Sequence, residues 1–478
     1  MSNPLGTITA LLVGFFVSAC VTTNDVVAQN TAADKVTSQP KSIYLNFTKD
    51  MLDVQQQDYE FYLTRFSEGN FQTTAGDVRN LYFTSRVEMI AEYDFDGDGI
   101  RDKLITGQAY PLNHRTDSMT HEEWMRQPCD QAKCNTQYLL PVYLKGLGGG
   151  RFKRVPNAFA DNRPNHSGIA FGHRILVADF NNDQRLDLAI TDHGFDNHLT
   201  DHAGDSIGYY LSQTNGTWLE SSSTHMNGGR EFKMFNHGAA VGDIDADGDV
   251  DIVETSMWRD VSTVTCRIND GTGHMTIRKN CGGINGWGID LGDFDGDGCL
   301  DLISTGDGAA RPVNGHWTGV SWGNCTGHFS RGVSLRNYFT GENDPNNWGT
   351  GIKVSTHDLD NDGDLDLLIG RVGTLYVGSA IQIVENLGNR QFAERGLLVY
   401  NAQPDTTEGV KACHNGGEGG DCNGFAYDLM FKDLNRDGLD EIIILANRWN
   451  VNGHVYQNNG NFDLVRSSRA LPTARIEW

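Results

Sequence analysis

Basic residues are in short supply. Lys and Arg number 38 against 62 Asp and Glu, a formal net charge of −24. That balance excludes a nucleic-acid partner, which calls for a basic footprint. The acids form no block of the kind that makes a disordered tail; they recur in short clusters. No segment beyond the first twenty residues is apolar enough to cross a bilayer. No CxxC pair occurs, which removes the usual zinc spacing. There is no phosphate-binding glycine loop with a lysine, and His121-Glu122-Glu123 lacks the second histidine of a metalloprotease helix. A G-x-S-x-G match at Gly204–Gly208 runs on into Tyr209-Tyr210-Leu211, which reads as a strand. A nucleophile elbow needs a helix there.

What is present begins with an export signal. Ile8 to Val17 is a mostly apolar run, too short to span a bilayer. It leads into Val17-Ser18-Ala19-Cys20, which resembles the bacterial lipoprotein cleavage box, although no Lys or Arg precedes it. The resemblance implies lipidation at Cys20. Val21 in place of Asp then favours the outer membrane, as a surface-anchored, periplasmic or extracellular protein. The membrane is met only through that anchor. The alternative is an ordinary secretory signal. Residues 21–41 are polar and read as a flexible tether, and 42–478 as the folded domain. Setting Cys20 aside leaves eight cysteines, an even number as expected for disulfides in an oxidising compartment. They fall as near neighbours, so the expected pairs are Cys129–Cys134, Cys266–Cys281, Cys299–Cys325 and Cys413–Cys422.

One pattern organises the rest. Carboxylates or amides stand at positions 1, 3, 5 and 9 of a short loop, six times over. The sets are Asp94, Asp96, Asp98, Asp102; Asp179, Asn181, Asp183, Asp187; and Asp243, Asp245, Asp247, Asp251. They continue as Asp293, Asp295, Asp297, Asp301; Asp358, Asp360, Asp362, Asp366; and Asp433, Asn435, Asp437, Glu441. Glycine holds position 6 in five loops and Gln184 in the second. Calcium takes six to eight hard oxygen ligands. Oxygens at this spacing can wrap one ion, and the glycine permits the sharp turn. Without a cation the carboxylates would repel one another. An EF-hand would carry Glu at position 12 between helices. Here that position is Ile105, Ile190, Glu254, Ser304, Ile369 and Ile444, and short apolar runs such as Leu188-Ala189-Ile190 follow, which read as strands.

These loops with strand flanks resemble FG-GAP/VCBS repeats, the calcium-loop blades also found in the integrin α-subunit head. The resemblance implies an all-β, calcium-binding β-propeller with up to six Ca2+ ions, each in the hairpin between the first two strands of a blade. Gln184, Asn181 and Asn435 depart from the pattern and imply weaker second and sixth sites. Each repeat ends in an aromatic strand and a Gly-rich turn, and Tyr62–Phe71 ends alike without a loop before it. Seven blades are therefore expected, the first over about 42–76, with six as the alternative.

If all calcium loops lie on one face, the lead-in and exit segments lie on the other. Those segments carry His166, His237, Trp258, Arg259, Trp287, Trp348, Arg371, Arg448 and Trp449. Aromatic and Arg side chains are frequent anchors, and Trp faces stack on sugars. The expected function is non-catalytic binding of a glycan or an extracellular or periplasmic protein. The alternative is a polysaccharide lyase or other carbohydrate-active enzyme on the same fold. The segment Asp192–His202 is dense in metal-ligating residues but matches no metal spacing, and is expected to be a polar surface loop.

Overall fold

The apolar runs after the acidic loops become the second strands of six sheets: Asp102–Pro111, Asp187–Asp192, Asp251–Ser256, Asp301–Thr305, Asp366–Val372 and Glu441–Ala446. Every one begins on the ninth residue of its loop. The first strands are Leu81–Tyr93, Gly172–Ala178, Asn236–Gly242, Gly288–Gly292, Thr350–His357 and Ala426–Lys432. Each sheet continues antiparallel through a third and a fourth strand, and we number the sheets as blades 1 to 6. This computed structural model describes residues 81–111, 138, 140–161, 168–194, 204–227, 232–256, 264–306, 318–341, 344, 346–414, 426–446, 454–468 and 475–477.

Second strands are buried on both faces, as in Asp187–Asp192 and Asp366–Val372, because each blade is covered by its neighbours. That explains why they read as continuous apolar runs rather than alternating ones. First strands of successive blades lie side by side around one axis. The approach is close: a Cβ on Gly288 of blade 4 would meet the Lys353 backbone of blade 5 at 2.7 Å. Arg174 of blade 2 reaches across the axis, its Nη2 donating to the Ile352 carbonyl of blade 5 at 3.4 Å.

The ring closes with six blades. Ile443 and Val455 of blade 6 share one hydrophobic cluster with Leu104, Val142 and Leu144 of blade 1. The last strand, Arg475–Glu477, pairs in parallel with Arg151–Arg154 at the rim of blade 1. Direct contact between blades 6 and 1 leaves no place for a seventh between them, so the six-blade alternative holds. The extra blade was inferred from the ending at Tyr62–Phe71, and residues 42–76 lie outside the described residues. Closure covers the faces of the blades and leaves fourth strands as edges at the rim, short ones in blades 4 and 6.

Candidate metal centres and ligand face

Each acidic loop is a hairpin between first and second strands, so all six lie on one face of the ring. The first carboxylate of every loop organises the turn. Asp94 accepts the amides of Asp98 and Gly99 at 3.0 and 2.7 Å. Asp243, Asp293, Asp358 and Asp433 repeat the pattern. The turn is left-handed at position 6, where Gly248 has φ 98 and Gln184 φ 67. It is left-handed again at position 4, where Ala246 and Arg436 have φ 60 and 68. The sequence reading explained only the first of these. Side chains without glycine's freedom are strained there, so the amide bonds to position 1 must hold the turn in shape. Position 2 anchors it: Phe180, Ile244, Phe294 and Leu359 are buried between blades, each worth about 1.5–3 kcal/mol.

The position 9 carboxylate has a second job that the sequence did not announce. In blade 3, Asp251 accepts Ile244 N on one oxygen at 3.0 Å and Asn269 N of the third strand on the other at 2.8 Å. Asp102, Asp187, Asp301 and Asp366 do the same with Gly146, Ser212, Gly323 and Asn386. These five are fully buried. Burial pushes Asp102 up to about 6, Asp187, Asp301 and Asp366 up to about 7, and Asp251 up to about 8, against the pull of the amides. A cation beside them would offset that cost.

Three carboxylates converge within 4.8 Å in four loops: Asp94, Asp96, Asp102; Asp243, Asp245, Asp251; Asp293, Asp295, Asp297; and Asp358, Asp360, Asp366. In the fourth loop position 5 replaces position 9 in that group. The donors are all oxygen, the chemistry of a hard cation. Asp245 Oδ1, Asp360 Oδ1 and Glu441 Oε1 are buried without a hydrogen-bond partner, as the ligand oxygens of a hard cation would be. The second and sixth loops form no such group among the described residues. In the sixth, Asn435 spends its amide on Asp437 at 2.9 Å; in the second, Arg185 pairs with Asp183. Glu254, the single match to an EF-hand position 12, is buried and paired with Arg267.

The loops are also tied across blades. Asn269 Nδ2 donates to the Phe180 carbonyl of the second loop at 2.7 Å. Asn386 reaches Phe294 at 2.9 Å and Asn458 reaches Leu359 at 2.8 Å. In each case the asparagine Oδ1 also accepts the amide of the glycine two residues on. The recurring Asn-x-Gly at the end of a third strand was the available signal, and it was read only as a turn. Asn269→Ala, Asn386→Ala and Asn458→Ala are each expected to lower stability by about 1 kcal/mol. The measurement is the urea midpoint at unchanged slope; three unmoved midpoints would mean the cross-blade bonds contribute nothing.

The family model of the FG-GAP-like repeat matches residues 179–254, the stretch from the second loop into the third. The chain is a β-propeller that carries an FG-GAP-like repeat over that stretch. No curated protein matches it. The solved structure of the V. cholerae biofilm matrix protein Bap1 aligns over 84% of this chain and 71% of its own, at 13% identity and a TM-score of 0.23. At that score the alignment carries no argument.

In this propeller two expected disulfides are formed, Cys266–Cys281 and Cys299–Cys325. The second ties position 7 of the fourth loop to the turn after the third strand of the same blade. Cys413 is disulfide-bonded, while Cys20, Cys129, Cys134 and Cys422 lie outside the described residues. Ser206 of the G-x-S-x-G match is buried and leads into the strand Gly208–Ser212.

The face opposite the loops, the mouth, carries a file of aromatic rings from blades 2 to 5. Phe171 lies 4.8 Å from His193, His193 3.8 Å from Phe235, Phe235 4.9 Å from His237, His237 5.2 Å from Trp287, and Trp287 5.9 Å from Tyr376. His173 closes an imidazole triangle, 5.6 Å from His193 and 4.9 Å from His237. Its own burial, with the neighbouring His237 and Arg174, holds it well below the usual range. The file runs from buried Phe171 to Tyr376, 40% exposed. Leu375 and Tyr376 are both left-handed, at φ 56 and 60.

Of the expected ligand residues, His237 and Trp287 meet in this file, and Trp348 packs against the loop Gly373–Gly378 that carries Tyr376. His166, Trp258, Arg259, Arg448 and Trp449 lie outside the described residues. Arg371 does not face a ligand. It is 1% exposed, and its Nε donates to Gln382 at 2.6 Å. Its Nη atoms serve Arg336, Asn337, Trp348, Gly349 and Thr318. A guanidinium with five donors suits a cage of carbonyls, and an isolated Arg in a sequence does not announce one. Asp192 and His193 are likewise buried rather than part of a surface loop. Asp192 accepts the amides of Ala170, Phe171 and Gly194, fixing the lead-in to blade 2. Residues 195–203 lie outside the described residues.

Proposed function

We propose that this protein is an exported, calcium-stabilised binding module whose ligand, a glycan or an extracellular or periplasmic protein, docks on the mouth face without being chemically changed. The observation that carries the reading is the ring file ending in exposed Tyr376 stacked on Trp287, 20° from parallel. Aromatic faces are strong anchors, and left-handed non-glycine residues concentrate where a ligand is gripped. Trp287 Nε1 is buried with no acceptor among the described residues; a ligand hydroxyl or carbonyl would satisfy it. Calcium fits the all-oxygen loops on the far side, where it would hold hairpins rather than touch ligand. Disulfides suit an oxidising compartment, and Cys20 would anchor the chain to the outer membrane.

The test is a glycan array followed by titration of the best glycan. Trp287→Ala combined with Tyr376→Ala is expected to weaken that binding at least about tenfold while the melting temperature holds. Undiminished binding by the double variant would remove the mouth from the reading. An unsaturated, ultraviolet-absorbing product from a uronic-acid polymer would overturn the non-catalytic part and favour the lyase.

A further inference from the structure

We infer that the convergent loops form two classes of calcium site, and that Lys145 and Arg390 are built-in cations that weaken the first and fourth. The inference rests on the proposal that calcium fills the loops, and its test separates the two. Position 3 decides it. In the third and fifth loops the position 3 carboxylates, Asp245 and Asp360, each keep a buried oxygen with no hydrogen-bond partner. In the first loop the same position, Asp96, is taken by Lys145 Nζ, which also lies 2.9 Å from Asp98 Oδ2. In the fourth loop Asp295 receives Arg390 through Nε and Nη2, both at 2.5 Å, and Asp297 lies 3.6 Å from the same guanidinium.

The two basic side chains come from different places. Lys145 belongs to the third strand of the same blade. Arg390 comes from blade 5, from the turn between Ser379–Asn386 and Phe392–Asn401, and lies 4.8 Å from the Trp322 ring of blade 4. The loop charges run the same way. The third loop carries Asp243, Asp245, Asp247, Asp249 and Asp251, and the fifth Asp358, Asp360, Asp362, Asp364 and Asp366. The first and fourth have one acid fewer each, and a cation already seated. A bound ion must share its carboxylates with that cation or displace it, and either lowers affinity. The third and fifth loops therefore fill first as calcium rises. In the fourth, filling competes with the Arg390 bridge between blades 4 and 5.

Calcium is titrated calorimetrically into metal-stripped protein. The wild type is expected to show a tight class of two sites and a weaker class. Lys145→Met and Arg390→Met, which keep the apolar stems, should each move one site into the tight class, a gain of about tenfold or more in that site's affinity. Asp245→Asn and Asp360→Asn should each remove one tight site, which tests the assignment from the other side. Unchanged isotherms for Lys145→Met and Arg390→Met, with the fold intact by circular dichroism, overturn the role of the two cations. Tight sites that survive both asparagine variants overturn the class assignment. A wild type that takes up no calcium sinks the calcium reading itself and this inference with it.

Discussion

Stripping divalent metal from the protein at pH 8 is expected to lower its melting temperature by more than about 10 °C, and by much less at pH 5. A ligand bound only by the folded state adds about 2.7 kcal/mol per site at a hundredfold excess over its Kd, and four loops bring three carboxylates within 4.8 Å of one another. In a domain of roughly 400 residues, 1 kcal/mol moves the midpoint by roughly 1 °C. The pH dependence comes from the buried position 9 carboxylates. Asp187, Asp301 and Asp366 are pushed up to about 7 and Asp251 to about 8. A carboxyl with a raised folded value contributes stability that is complete below its ordinary range. That stability is lost as pH rises through the folded value. The metal-free protein is therefore better off at pH 5, with these groups protonated, than at pH 8, with them charged and buried. Scanning calorimetry with calcium and with chelator at both values checks it. Coincident traces at pH 8 would mean the loops hold no stabilising ion.

Arg371→Ala is expected to cost about 3 kcal/mol or more. The guanidinium is the common donor for Arg336, Asn337, Trp348 and Gly349 carbonyls, all in the connector that leads from blade 4 into blade 5. Truncation leaves the Asn337, Trp348 and Gly349 carbonyls without this donor, only Arg336 keeping Gln382 Nε2, and opens a cavity where water is scarce. Arg371→Lys should recover little, because one ammonium cannot present the fork that serves Gln382 and the connector together. Guanidinium denaturation of both variants measures it. A loss under 1 kcal/mol for the alanine variant would show that solvent reaches the cage. Because Trp348 belongs to the same connector and packs on the Tyr376 loop, the alanine variant is also expected to disturb the mouth.

What the sequence by itself determined is local. Residues one to nine apart set the acidic loops and hence their oxygen chemistry. The apolar runs that follow set the second strands, and cysteines 15 and 26 residues apart set two disulfides. Each of these lives within one blade, where spacing along the chain is spacing in the fold. Tertiary structure alone decided the number of blades, because closure depends on Ile443 and Val455 meeting blade 1. It also decided which polar residues work inside. Asn269 finds its acceptor 89 residues away and Arg174 finds its own 178 away, across the axis. Arg371 and Asp192 read as surface residues because buried polar groups are recognised by their partners, and those partners come together only when the ring closes. Hairpins repeat and leave a period in the sequence; of the contacts between blades only the Asn-x-Gly ties repeat, and the others join single residues far apart.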